Sequence, residues 1–345
     1  MGRKIAIRIF VLLLFLAGFN YAYKWFLFDK DLKEYSPLSE NVIHFPDSCQ
    51  LVYFGESSNF TSSPTDKDKR SISQLASDFF PEKCFCAIQQ GALHAGQYLV
   101  LLRKLQEKSN LETVVITMNM RSFGADWIHS ELETALQKQM VLLKPGPPIY
   151  NRLLLSLRAY DIKSKEDRHA DVIKEWSKNS LEFPNPFPYT NVTDWDKARA
   201  NGSFLNEDGS WDMPRIELSC HFVKNYAFMI DENNPRIKDF DAIVKLAQKN
   251  NWNLVFNLLA ENTMRAEELA EPELAWLIRR NRDYLVERYN RNGVFVVDNL
   301  EDVHDSLFID RGWPTEHYAE TGRKIIAKNL ADTLSNFYAE TLRMR

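Results

Sequence analysis

The sequence predicts a three-layer α/β/α fold on a mostly parallel five-stranded sheet, preceded by one N-terminal apolar helix. Three observations carry this reading. Short apolar runs recur with helical stretches of ten to twenty residues between them, the alternation that a parallel sheet covered on both faces requires. The composition, 45% apolar, 26% charged and 12% aromatic over 345 residues, is ordinary for a globular chain of one large domain or two small ones. Residues 9–28 read IFVLLLFLAGFNYAYKWFLF, with Lys24 as their one charge.

The apolar stretch comes first in the chain. At about 1.5 Å per residue it reaches roughly 30 Å, enough to cross the hydrocarbon core of a bilayer. Arg3, Lys4 and Arg8 precede it with no acid among them. Residues 1–8 are therefore expected in the cytoplasm, and the chain after the helix outside, in a periplasmic or extracellular compartment. Tyr21, Tyr23, Trp25 and Phe26 crowd the place where a cleavable leader carries small residues, and they suit an interfacial belt. An uncleaved signal anchor over residues 9–28 is thus expected ahead of a cleaved signal peptide. Residues 29–47 read as a polar tether and residues 48–345 as the α/β domain.

Within that domain strands are expected at 49–54, 83–88, 113–118, 253–259 and 294–297. Helices are expected at 71–80, 94–107, 240–249 and 273–290, with a terminal helix from Arg323. Such an order implies helices on both faces of the sheet. The regularity fails over residues 145–234, where PGPP at 145–148, FPNPFPY at 183–189, Trp195 and Trp211 mark an insertion. It is either a lid over a cleft or an elaboration of the sheet edge. Sequons at Asn59, Asn191 and Asn201 matter only in a cell that glycosylates secreted proteins.

Charge and cysteine usage exclude several classes. The formal net charge of −4 leaves no basic excess for a phosphate backbone, so no nucleic-acid partner is expected. Cys49, Cys84, Cys86 and Cys220 lack the paired spacing of structural zinc, and no metal or cofactor is expected. A disulfide from Cys49 to Cys84 or Cys86 requires strands one and two to be neighbours. No dinucleotide or P-loop glycine pattern follows any strand, which sets aside a nucleotide-binding reading.

Ligand sites of open parallel sheets lie beyond the carboxyl ends of the strands. Gly55-Glu56-Ser57 follows strand one, in a turn that can present the serine as a nucleophile. The turn containing Gly91 follows strand two and offers backbone N–H groups to a developing negative charge. Asn119 and Arg121 follow strand three, and Asp310 through His317 follow the last strand. Each has an ordinary structural role too: Gly and Ser favour turns, Asp ends strands, and a histidine before a helix can be a cap.

In this order, G-x-S, Gly, Asn, then a late Asp with His-x4-Gly and a terminal helix, the sequence resembles the SGNH/GDSL hydrolase superfamily over roughly residues 50–334, with the insertion interrupting the likeness. With its membrane helix it is similar to the branch that handles cell-envelope acyl groups. The resemblance implies Ser57 as nucleophile, His317 as general base and Asp310 as its orienting acid. It also implies an oxyanion hole from the backbone N–H groups of Ser57 and Gly91 and the side-chain amide of Asn119. Two departures stand out. Glu56 replaces the usual Asp, and Pro314 occupies the position three before the histidine, leaving Asp310 seven residues upstream. Either an extra turn at Trp313-Pro314 returns Asp310 to the ring, or the site is a Ser-His dyad, or Glu316 substitutes. If Asn119 is one register off, Arg121 faces the cleft and binds an anionic group; Glu56 and Arg121 are thus candidate substrate-binding residues.

The expected function is a membrane-tethered serine esterase or O-acyltransferase for acyl esters of envelope glycans or related carbohydrates. The aromatic strings of the insertion are expected to stack on sugar rings. The alternative is a catalytically silent glycan-binding or scaffold protein that partners a membrane acyltransferase.

Overall fold

The computed structural model describes residues 2–106, 110–178, 180–202, 204–292 and 294–343. Runs of β-branched and aromatic residues form five strands: β1 (Leu51–Gly55), β2 (Phe85–Gln89), β3 (Thr113–Met118), β4 (Asn253–Leu258) and β5 (Phe295–Asp298). All pair in parallel, in the order β2-β1-β3-β4-β5. β1 and β3 are buried throughout, as central strands of a sheet covered on both faces must be.

The period of two divides each central strand between two cores. Val52, Phe54, Val114, Ile116, Leu254 and Phe256 face one core, completed by the helices Ala95–Leu105, Pro235–Lys249 and Thr263–Asn290. Leu51, Tyr53, Val115 and Val255 face the other, closed by the helices Ile72–Ser77 and Glu320–Arg343. This is the three-layer α/β/α arrangement expected, and its five strands are all parallel. Connections leave β1 and β3 in opposite directions, so a crevice opens between their carboxyl ends.

Three stretches differ from the sequence reading. Residues 29–47, read as a polar tether, carry the helices Phe28–Tyr35 and Pro37–Ile43, and their Leu32, Leu38, Val42 and Phe45 lie in the larger core. Apolar residues at helical spacing hide there among charges. The helix expected from residue 273 begins at Thr263, capped by the Asn262 side chain. It bends at Ala270 and Glu271, where φ of Glu271 is +72° ahead of Pro272, and this interruption makes the sequence look like a later start.

The insertion holds the helices Pro148–Ser156, Lys165–Lys178, Val192–Ala200 and Met213–Tyr226. Its aromatic string is a packed cluster, with Phe187 4.7 Å from Phe183 and 4.8 Å from Trp195, centroid to centroid. Trp195 is fully buried, and Phe183, Phe187 and Tyr189 pack half-buried around it, while Trp211 of the same insertion is exposed. Asn59, the first sequon residue, is likewise buried. Cys49 pairs with Cys86, joining the approach to β1 to the neighbouring β2. Cys84 is an exposed free thiol.

Candidate active site

β1 ends at Gly55. A Cβ there would stand 2.8 Å from Asn59 Cβ and 2.9 Å from the Tyr53 ring, so only glycine lets the chain fold back so tightly. Glu56 is still extended, and the short helix Ser57–Phe60 starts immediately after it. Asn59 locks this turn from beneath, accepting the Ser73 N–H at 2.8 Å and donating to the Ser73 hydroxyl at 3.0 Å. Ser57 is thereby held half-buried at the carboxyl end of β1.

The late loop is closed by an antiparallel bridge between Phe308 and Tyr318. The Ile309 N–H donates to the His317 carbonyl at 2.9 Å and the Ala319 N–H to the Leu307 carbonyl at 2.8 Å. A turn follows Asp310, with the Trp313 N–H donating to its carbonyl at 3.2 Å. These bonds fold the seven-residue spacing back on itself. His317 Nδ1 lies 2.5 Å from Asp310 Oδ2, and His317 Nε2 lies 3.0 Å from Ser57 Oγ. Of the open alternatives, the extra turn is the one present. Thr315 adds a 3.5 Å hydroxyl contact to the same carboxylate oxygen.

Glu56 turns toward Ser57, the expected nucleophile. It is buried, and its Oε2 accepts from the Ser57 hydroxyl at 2.9 Å. Burial first, and the Glu316 charge second, raise its pKa above the ordinary carboxylate value. Gly91 lies in the turn after β2 at the same end of the sheet. Among the described residues, no hydrogen bond takes the backbone N–H of Ser57 or of Gly91.

Asn119 and Arg121 meet at Glu316. The Asn119 amide donates to Glu316 Oε2 at 2.9 Å, and the Arg121 guanidinium pairs with both Glu316 oxygens. Arg121 and Glu316 are each at least 95% buried and paired with each other, so Glu316 does not stand in for the triad acid beside His317. Glu261 completes this cluster, its carboxylate accepting from the Tyr226 hydroxyl at 2.6 Å. Burial opposes charge on Glu316, but the Arg121 guanidinium overrides it and holds the carboxylate below its usual range. Glu261 is pushed well up, by burial and then by the Glu316 charge. In the sequence Glu261 carries one signal, its place in the loop after the fourth strand.

A cavity of about 390 Å³ adjoins the site, lined by Arg121, Trp127, His129, His169, Asn225 and Trp313 among others. The Trp313 ring lies 3.8 Å from the His221 ring, centroid to centroid. Among the described residues no group of three or more His, Cys, Asp and Glu is placed to hold a metal ion. A hydroxyl, an imidazole and a carboxylate in line, beside unpaired N–H groups, can support acyl transfer through a covalent intermediate.

No family model matches the sequence, and no curated protein matches it. Among solved structures the chain is similar to an acetyl xylan esterase from the rumen bacterium Butyrivibrio proteoclasticus, at 10% identity and a TM-score of 0.29. The match covers 85% of this chain and 64% of that one, so the chain spans less than two thirds of its neighbour's length.

Proposed function

We propose that the chain is a serine esterase or O-acyltransferase that acts on acyl esters of envelope glycans or related carbohydrates, outside the membrane to which residues 9–28 tether it. The observation that carries this reading is the hydrogen-bonded line from Ser57 through His317 to Asp310. Its chain order, with Gly55-Glu56-Ser57 early and His317 before the terminal helix, matches the resemblance to SGNH/GDSL hydrolases.

The mechanism follows from the atoms in contact. Ser57 Oγ attacks the ester carbonyl carbon as His317 Nε2 takes its proton. Asp310 holds the opposite ring nitrogen as the donor and stabilises the imidazolium. The backbone N–H groups of Ser57 and Gly91, with the Asn119 amide, receive the tetrahedral oxyanion; one such donor is typically worth about 2.7 to 4 kcal/mol. Collapse breaks the bond to the alcohol, which leaves with the proton from His317. Water or a second alcohol then attacks the acyl-Ser57, with His317 again accepting a proton, and the serine is regenerated.

The test is Ser57→Ala assayed on a small acetyl ester. Turnover should vanish with the melting temperature unchanged; normal turnover in this variant removes the nucleophile. A second reading, a silent glycan-binding scaffold for a membrane acyltransferase, draws on two contacts: the Ser57 hydroxyl also reaches Glu56, and the Asn119 amide donates to Glu316. Labelling by a fluorophosphonate probe separates the two, because it needs an activated serine.

A further inference from the structure

The helix Pro148–Ser156 does not pack only against the α/β domain: it lies along the N-terminal helix Gly2–Phe26. The Ile149 N–H, at the open start of the shorter helix, donates to Asn20 Oδ1 at 3.1 Å. A side chain of the long apolar helix thus satisfies a backbone group that water or a cap would otherwise take. Farther along, Arg152 Nε donates to Asp31 Oδ2 at 2.6 Å, and the Tyr23 hydroxyl donates to the same oxygen at 2.9 Å. These bonds hold the shorter helix against the C-terminal end of the long one.

Between them runs a groove of about 850 Å³, lined chiefly by Leu13, Leu16, Ala17, Ile149, Tyr150 and Leu153. Its outer wall continues as uncovered apolar surface, with Tyr150 53%, Leu153 52%, Leu157 68% and Ile162 88% exposed. The depth of the groove identifies its occupant. Leu13, Leu16 and Ala17 belong to the one helix among the described residues that is long and apolar enough to cross a membrane. Leu13 lies about 10 Å along that helix from Asn20, on the side away from the domain. What surrounds a groove at that level of a spanning helix is hydrocarbon. Tyr150 suits the interfacial zone, and Lys144 and Arg158 flank the apolar face as cations do in helices that lie on a bilayer surface.

We propose that residues 144–162, centred on the helix Pro148–Ser156, form a second membrane-contacting element, and that the groove between it and the N-terminal helix takes an acyl chain of a bilayer lipid. The proposal rests on the reading of residues 9–28 as a membrane anchor.

The experiment uses the full chain with Cys84→Ala, carrying a single environment-sensitive NBD label at Leu153→Cys, at Leu13→Cys or at the exposed Asp208→Cys. Each protein is reconstituted into phosphatidylcholine and phosphatidylglycerol vesicles. The labels are then challenged with lipids brominated on their acyl chains and with aqueous iodide. The exposed positions tolerate substitution, which thermal melting of each variant checks. The expected result is bromolipid quenching and a blue-shifted emission at 13 and 153, with iodide quenching at 208 alone. Iodide quenching at 153 with bromolipid quenching at 13 overturns the second contact and leaves the anchor standing. A label at 153 shielded from both quenchers overturns the lipid occupant in favour of a second copy or another protein. A label at 13 that only iodide reaches overturns the anchor and the proposal with it.

Discussion

Glu56 and Ser57 are adjacent in the chain and also meet through their side chains, with Glu56 Oε2 2.9 Å from Ser57 Oγ. The same hydroxyl lies 3.0 Å from His317 Nε2, so its one proton has two acceptors within reach. The protonation of Glu56 decides between them. As a neutral acid Glu56 donates to Ser57 Oγ and leaves the serine proton for His317; as a carboxylate it competes for that proton.

Glu56→Gln holds the neutral form permanently, since its amide donates as the acid does. Ester hydrolysis at neutral pH is expected to persist, without the decline toward higher pH that ionisation of Glu56 imposes on the pH–rate profile. The raised folded pKa also fixes a stability sign: the contribution is full below the ordinary value of 4.5 and is lost as pH rises through the folded value. The Gln variant should therefore melt higher than the parent at neutral pH. Loss of hydrolysis in Glu56→Gln would show that the carboxylate itself is needed.

Asp310→Asn leaves the loop bridge intact but presents the wrong partner to His317 Nδ1. By analogy with other serine triads kcat should fall by about 10⁴-fold. The side chain is 45% exposed, so the melting temperature should not move. Steady-state kinetics and a thermal melt on the same preparation test both halves.

Arg121→Met removes the cation that Glu316 is built around. Glu316 is then a buried carboxylate that faces Glu261 with no cation to balance its charge. Breaking a buried pair from one side typically costs about 3 to 5 kcal/mol. Urea unfolding should register a loss of that order, and replacing Glu316 by Leu in the same chain should recover part of it.

His94 gives a separate acid-side prediction. Its Nδ1 accepts the Gly96 N–H at 3.1 Å, capping the helix Ala95–Leu105, and its Nε2 donates to Glu133 at 2.8 Å. Burial and then the Arg236 charge push its pKa down to about 4. A depressed histidine contributes stability that is full above the ordinary value of 6.5 and is lost as pH falls toward about 4. The loss should be on the order of 3 kcal/mol. His94→Asn keeps a capping acceptor without a titrating ring, so its stability curve should be flatter through that window in denaturant titrations.

The sheet was legible because each strand is a short run of β-branched and aromatic residues between longer helical periods. Ser57, Asp310 and His317 were legible because a parallel sheet turns its chemistry outward at strand ends. What joins Asp310 to His317 was not, since the Phe308–Tyr318 bridge is a pairing through space that no local pattern announces. The buried cluster was hidden for a similar reason: Glu316 and Glu261 read as solvated charges until Arg121 and Tyr226 arrive from other elements. Aromatic composition at 183–195 likewise does not distinguish rings facing sugar from rings facing each other.

The docked helices of residues 28–43 bear on how such a head would work. A flexible leash would let it sweep a hemisphere and sample distant strands of polymer. Here Leu32, Leu38 and Val42 are sealed into the body, and Tyr23, Asp31 and Arg152 clasp the exit of the long helix. The joint has no slack, so, on the proposed reading of residues 9–28 as an anchor, the crevice beside Ser57 would sit at one fixed height above the bilayer, and the acyl donor or acceptor would have to travel to it.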